Sequence, residues 1–324
     1  MKVLNFNDPY VDSKGNVNNL EDVLSDISVD LTDYAKKTDI PATLPANGGN
    51  SDTVNNHTVE SDVPVNAKFT DTIYDDTEVK GSIEELKNDL VASNAGAHNS
   101  VYRGKYLGNA LTTEQKAQIS AGTFNDLYIG DYWTIEGVNY RIAAFDYWLN
   151  CGDVNCVTHH VVIVPDTCLY NAKMNDSDVT TGGYMGSAMH TTNLEQAKIT
   201  IKSAFNGHVL NHRNYLVNAV TNGCSSGGEW TDSEVDLMNE QMVYGGILFS
   251  PTSDGSNIPS NYRVEKSQLP LFVLEPSRII NRDNYWLRDV VSTNSFARVG
   301  DQGYAGSYSA NYSFGVRPAF GITG

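Results

Sequence analysis

The chain has 324 residues, 40% of them hydrophobic and 19% charged, with 39 acidic side chains against 22 basic ones and a formal charge of −17. That charge argues against a nucleic-acid partner, because neutralising phosphates takes clustered Lys and Arg. No run approaches the roughly 18 apolar residues of a membrane span, so membrane insertion is not expected. The opening residues lack the charged-then-apolar pattern of a leader, and four cysteines are too few for a disulfide scaffold.

The first 100 residues carry 18 acidic and 7 basic side chains, while residues 281–324 carry 3 and 4, so the two ends present different surfaces. In the N-terminal segment, residues 1–40, Leu20, Leu24, Ile27, Leu31 and Tyr34 follow a heptad spacing, with Asp22, Asp26, Asp30 and Asp33 off the seam. This fits either an amphipathic helix on a globular body or a short coiled coil between chains. Residues 41–81 read as a Gly/Pro/Asn-rich shaft or linker, and the run of breakers from Thr38 to Asp52 cannot sustain a helix. The alternations Thr53-Val54, His57-Thr58-Val59, Ser61-Asp62-Val63 and Lys68-Phe69-Thr70 suit brief strands needing neighbouring chains as cover, or a disordered linker. Ser82-Ile83-Glu84-Glu85 has the spacing of a capping box opening a short helix. Residues 94–100 then read as a flexible joint.

From Val101 onward the pattern is mixed. Thr112 and Gln115 box a helix to Ile119. Two strand-like runs, 127–135 and 138–145, meet at the Glu136-Gly137 hairpin signal. His160–Pro165 reads as a buried strand, and Leu194, Ala197, Ile201, Ala204 and Phe205 form a helical stripe ended by Asn206-Gly207. Thr231–Glu234 is expected to cap a further helix and Leu269–Leu274 to be a strand. Helices and strands without regular alternation give an α+β class.

The chemical motifs are weak. Cys151 and Cys156, followed by His159-His160, could hold zinc, but no second pair at finger-like spacing follows, and the loop suits a local disulfide or free thiols equally. His159 and His160 begin a strand, so one should face inward and the other outward. Gly182–Ser187 lacks the lysine of a phosphate loop and reads as a surface turn. Asp176, Asp178 and Asp153 match no calcium-loop pattern. No catalytic residue, metal site or cofactor is expected.

The C-terminal segment is more informative. Between Asn281 and Phe314, 16 of 34 positions are Asn, Tyr, Ser or Asp, and Lys and Glu are absent. Tyr offers rigid contact area and small polar residues offer adaptable hydrogen bonds, the vocabulary of binding loops. Tyr304, Tyr308, Tyr312 and Phe314 are therefore expected to form an exposed patch. The bracketing blocks Trp286-Leu287-Arg288 and Gly315–Phe320 read as scaffold, with arginines forking onto carbonyls or carboxylates.

Tyr285-Trp286-Leu287-Arg288, the Gly/Asn/Tyr/Ser-rich stretch and Gly315-Val316-Arg317-Pro318-Ala319-Phe320 together resemble the variable proteins of diversity-generating retroelements, of which phage tropism determinants are the type. Leu44–Val54, His57-Thr58-Val59 and Asp62-Val63-Pro64 are similar to shaft repeats of phage and prophage tail fibres from Gram-positive bacteria. The resemblance implies a C-type-lectin-like ligand-binding head over residues 101–324, with a variable region of about 284–320. It further implies a homotrimeric N-terminal stalk of helix and short strands, residence at a virion tail tip or in a prophage-bearing host, and a bacterial surface protein or glycan as partner. Carried over by position, the diversified ligand-binding residues are Asp289, Val291, Asn294, Phe296, Arg298, Asp301, Gln302, Tyr304, Ser307, Tyr308, Asn311, Tyr312 and Phe314. The Glu/Asn-Pro-Asp/Asn signature of calcium-dependent sugar binding is absent from the sequence. Two other readings remain: a tail-fibre glycan hydrolase using carboxylates such as Asp131, Asp146 and Asp153, and a purely structural fibre segment.

Overall fold

The computed structural model describes residues 10–11, 17–18, 53–54, 57–58, 76–83, 95–251, 265 and 267–324. The chain divides into two compact units, 1–75 and 76–324. In the first, Tyr10–Val11 pairs antiparallel with Val17–Asn18, and Thr53–Val54 with His57–Thr58. The second pairing agrees with the short alternations expected there. The seam from Leu20 to Tyr34 and most of the expected shaft lie outside the described residues.

In the second unit residues 77–83 are helical, so Ser82 lies within a helix rather than at its N-cap. The elements that follow are α1 (Ala95–His98), α2 (Thr113–Ala121), β1 (Tyr132–Ile135), β2 (Val138–Phe145), β3 (Val161–Pro165), β4 (Tyr170–Lys173), α3 (Glu195–Ala204), β5 (His212–Thr221), β6 (Cys224–Ser233), β7 (Val235–Leu237), α4 (Glu240–Tyr244), α5 (Pro270–Leu274), β8 (Tyr285–Val290), β9 (Ser295–Val299), β10 (Ala305–Ser309), β11 (Ser313–Val316) and β12 (Pro318–Ile322). The class is α+β with mostly antiparallel pairing. No helix among the described residues is long and apolar enough to cross a membrane.

Several local expectations hold. The Thr112 hydroxyl accepts from Gln115 N while the Gln115 side chain accepts from Thr112 N, completing the box. Glu136 and Gly137 both take positive φ (51° and 82°) in a two-residue turn between β1 and β2. Others are corrected. The joint at 94–100 contains helix α1, whose buried His98 bonds the Leu127 carbonyl at 2.7 Å. Thr231–Ser233 belongs to β6, and Glu234 pairs with Lys202 at 2.6 Å; the helix starts later, capped by Asn239 accepting from Met242 N. Leu269–Leu274 is not a strand, because Pro270 opens α5 at a position where its fixed φ favours a helix. The Gly182–Ser187 turn is not superficial: Tyr184 is fully buried and donates to Asp236 at 2.9 Å.

Two five-stranded sheets build the core. One runs β7-β12-β3-β2-β1, antiparallel throughout; the other runs β10-β9-β8-β11-β4, with only β8 and β11 parallel. All residues of β3, β8 and β12 are buried; β3 is the continuous apolar run expected of a strand covered on both faces, whereas β8 also buries Arg288 and Asp289. α3 contributes Ala197, Ile201 and Ala204, and Phe205 after it meets Tyr140 and Phe320 at 5.2 and 5.6 Å between ring centroids.

The chain passes between the sheets at Arg317, the single residue between β11 and β12. Its buried guanidinium donates to the Pro165 carbonyl (2.8 Å), the Tyr285 hydroxyl (3.2 Å) and the Arg278 carbonyl (3.0 Å). Arg288 likewise donates to the Leu237 carbonyl at 3.2 Å and to the Glu265 carboxylate. Both bracketing blocks are therefore frame, as their composition predicted, with arginine forks tying one sheet to the other.

Candidate ligand-binding face

The segment 284–320 spans β8 to β12, so the expected variable region lies mostly in the second sheet. Register places Trp286 opposite Arg298, Arg298 opposite Gly306, and Phe296 opposite Tyr308. Side chains at directly paired positions share a face. Trp286 is fully buried and anchored by its indole N–H on the Ala172 carbonyl at 2.9 Å. Half-buried Phe314 lies 4.9 Å from it between centroids. Tyr308 stands 5.2 Å from Phe314 and 4.3 Å from Tyr312, both edge to face, a favoured aromatic geometry.

Arg298 organises the same face. Its guanidinium lies 5.3, 5.6 and 5.5 Å from the ring centres of Tyr304, Tyr308 and Phe314, within cation–π range. It donates to the Tyr304 hydroxyl at 3.2 Å and to the Asn284 carboxamide. Gly306 lies beneath it, and a Cβ there would make an ordinary contact at 3.7 Å with the guanidinium carbon. The Tyr304 ring lies over Gly300, where a Cβ would come within 2.3 Å of it. The outcome is an aromatic surface with Tyr304, Tyr308 and Tyr312 exposed to 50%, 37% and 51%. The Tyr308 phenol is held above its ordinary pKa by its hydrogen bond to Tyr312 and that hydroxyl's charge.

The thirteen carried-over residues do not all reach solvent. Arg298, Tyr304, Tyr308, Tyr312 and Phe314 come together as described. Asp301 and Gln302 occupy the turn leading to Tyr304, and Asn311 the turn between β10 and β11. Val291 and Asn294 lie around the β8–β9 turn, where Asn294 reaches Asp178 at 3.4 Å. Ser307 pairs with buried Ala297 and so alternates to the opposite side of the strand from Tyr308. Asp289 and Phe296 are buried and cannot meet a ligand directly: Asp289 accepts from Glu240 N at 2.7 Å, and Phe296 packs in the core. Two further residues, Asn284 and Tyr244, support the face. Tyr244 donates to the Gly303 carbonyl at 3.1 Å, and burial holds its phenol well above the usual range. Neither had a local sequence signal beyond residue type.

The other candidate clusters are internally engaged. Asp131 pairs with Arg103 (2.6 Å), Asp146 with His159 (2.7 Å) and Asp153 with Arg213 (2.8 Å). His160 is buried and His159 is 37% exposed at its side chain, matching the inward and outward expectation. All four cysteines are free thiols. Among the described residues no group of three or more His, Cys, Asp or Glu is placed to hold a metal ion.

No family model, no curated protein and no solved structure matches this chain.

Proposed function

We propose that this chain is a phage or prophage tail-tip receptor-binding protein, an adhesin with no chemistry of its own and no cofactor. In this reading residues 101–324 form a C-type-lectin-like head whose variable region, about 284–320, is rewritten by a diversity-generating retroelement. The observation that carries the reading is the mounting of Tyr304, Tyr308 and Tyr312 in solvent on a sheet whose central strand, β8, is entirely buried. Exposed aromatics grouped on one side mark a surface meant to be covered. A rigid frame beneath them lowers the ordering cost of binding. Three heads on one stalk would strengthen a modest single-site affinity by avidity.

Two experiments test the components. The neighbouring DNA is expected to hold a near-repeat of the codons for 284–320 that differs mainly at adenines; its absence removes the retroelement component. Light scattering on the full-length protein is expected to give three chains; a mass of one chain removes the trimeric stalk.

A further inference from the structure

A second concavity adjoins the tyrosine face. The tip of the β5–β6 hairpin is the two-residue turn Asn222-Gly223, with φ of 51° and 78°, the type I′ form. Gly223 lies so close to the β8–β9 turn that a Cβ would stand 3.0 Å from Thr293 N. From the other side Thr180 fastens the same turn, its N–H donating to the Thr293 carbonyl (3.0 Å) and its hydroxyl to the Ser292 carbonyl (2.7 Å). The three segments enclose a cleft of about 80 Å³ lined by Thr180, Thr181, Val220, Asn222, Gly223 and Thr293.

We propose that this cleft seats one arm of a neutral sugar, a hydroxymethyl or acetamido group, and that the ligand is a neutral glycan chain running from the cleft to Tyr308 and Tyr312. The inference rests on the adhesin reading and names its ligand class. Size sets the first limit. An engineered cavity of roughly 150 Å³ admits one benzene ring, so a cleft of about 80 Å³ takes a substituent rather than a whole sugar ring. Lining chemistry sets the second. The Thr181 and Thr293 hydroxyls and the Asn222 carboxamide have no hydrogen-bond partner among the described residues. Such groups both donate and accept, which matches a sugar hydroxyl, while Val220 supplies an apolar floor. Charge sets the third. The lining carries none, and a carboxylate, Asp178, stands against the neighbouring Asn294, so an anionic group gains nothing in the cleft.

Continuity supplies the direction. Asn294 follows Thr293 and accepts from Ala310 N at 2.8 Å, and Tyr312 N donates to the Ser309 carbonyl at 3.1 Å. One short turn thus separates the cleft from the Tyr308–Tyr312 pair. Those ring faces can stack on the C–H face of the next sugar, whose polarised hydrogens meet the negative side of the ring.

The test is titration of full-length protein, methyl-labelled at Thr and Val, with neutral tetrasaccharides of N-acetylglucosamine, glucose and galactose at millimolar concentration. At least one is expected to shift the Thr181, Thr293 and Val220 methyls, with Thr293→Val abolishing the response at an unchanged melting temperature. Tyr308→Ala is expected to weaken that tetrasaccharide about tenfold, the equivalent of one lost stacking contact. The inference is overturned if no tetrasaccharide moves these methyls, or if Thr293→Val responds like the parent. Should the sugars leave the cleft untouched while Tyr308→Ala still loses attachment to cells, the ligand is a protein surface and the adhesin reading survives alone. Undiminished attachment of Tyr308→Ala would count against the adhesin reading itself.

Discussion

Trp286 and Phe314 meet at 4.9 Å between ring centroids, the first fully buried and the second half-buried. Their contact is where the core becomes the surface. Everything beneath Phe314 is frame, while Tyr308 and Tyr312 project above it. Stability and binding are therefore expected to separate by residue. Trp286→Ala should cost about 3–5 kcal/mol, as for other buried aromatics. Tyr308→Ala and Tyr312→Ala should each cost less than about 1 kcal/mol. Urea melts of the three variants check the order, and the reverse order would remove the division between frame and face.

Gly300 carries a subtler prediction. Its φ is ordinary, so alanine is tolerated by the backbone, yet the new Cβ would collide with the Tyr304 ring. Gly300→Ala should displace Tyr304 from Arg298 with a stability change within about 1 kcal/mol. Fluorescence-quenching or chemical modification of Tyr304 would register the displacement, and an unchanged Tyr304 would contradict it.

Acid should weaken the head through its buried histidines. Trp148 is stacked between His160 and His212, at 5.5 and 4.1 Å. His160 accepts from Trp148 N at Nε2, so its Nδ1 proton is donated to the Thr158 carbonyl and the ring is neutral. Burial lowers the pKa of both, that of His212 to about 3, with the charge of His160 adding to the effect there. An unfolded histidine titrates at about 6.5. Below that pH the unfolded chain takes up protons that the folded chain refuses, so stability falls as pH drops from about 6.5 toward 3 and is level above it. His212 adds a slope of about 1.4 kcal/mol per pH unit across that window, and His160 adds in the same direction. Urea midpoints at stepped pH check the slope, and His212→Phe should remove the His212 share of it while leaving that of His160.

Glu240 is fully buried and its carboxylate accepts three backbone N–H groups, from Leu248 (3.1 Å), Phe249 (2.9 Å) and Ser250 (3.1 Å). Glu240→Gln turns one acceptor into a donor facing donors. The expected cost is about 1–3 kcal/mol, with faster amide exchange at those three residues. Exchange at the parent rate would show that the loop holds its shape without the carboxylate.

What the sequence revealed and what it concealed divide along the range of the interaction. The Thr112–Gln115 box and the Glu136-Gly137 turn are satisfied within four residues of chain, so both were readable. Thr231–Glu234 carries the same box spacing, but pairing along β5 holds Thr231–Ser233 in a strand and Lys202 takes the glutamate. The apolar run at 269–274 carries no period that separates strand from helix. On the face, the tyrosines were visible as composition. The burial of Asp289 and Phe296 was not, because Glu240 and the rest of the core that cover them lie elsewhere in the chain. The roles of Tyr244 and Asn284 were hidden for the same reason.

The most direct measurement of the central claim is attachment of fluorescently labelled full-length protein to a panel of Gram-positive cells. The parent is compared there with a Tyr304→Ser, Tyr308→Ser, Tyr312→Ser triple variant of matched melting temperature. The account predicts that the parent decorates at least one strain and the variant none; equal attachment of the two would contradict it.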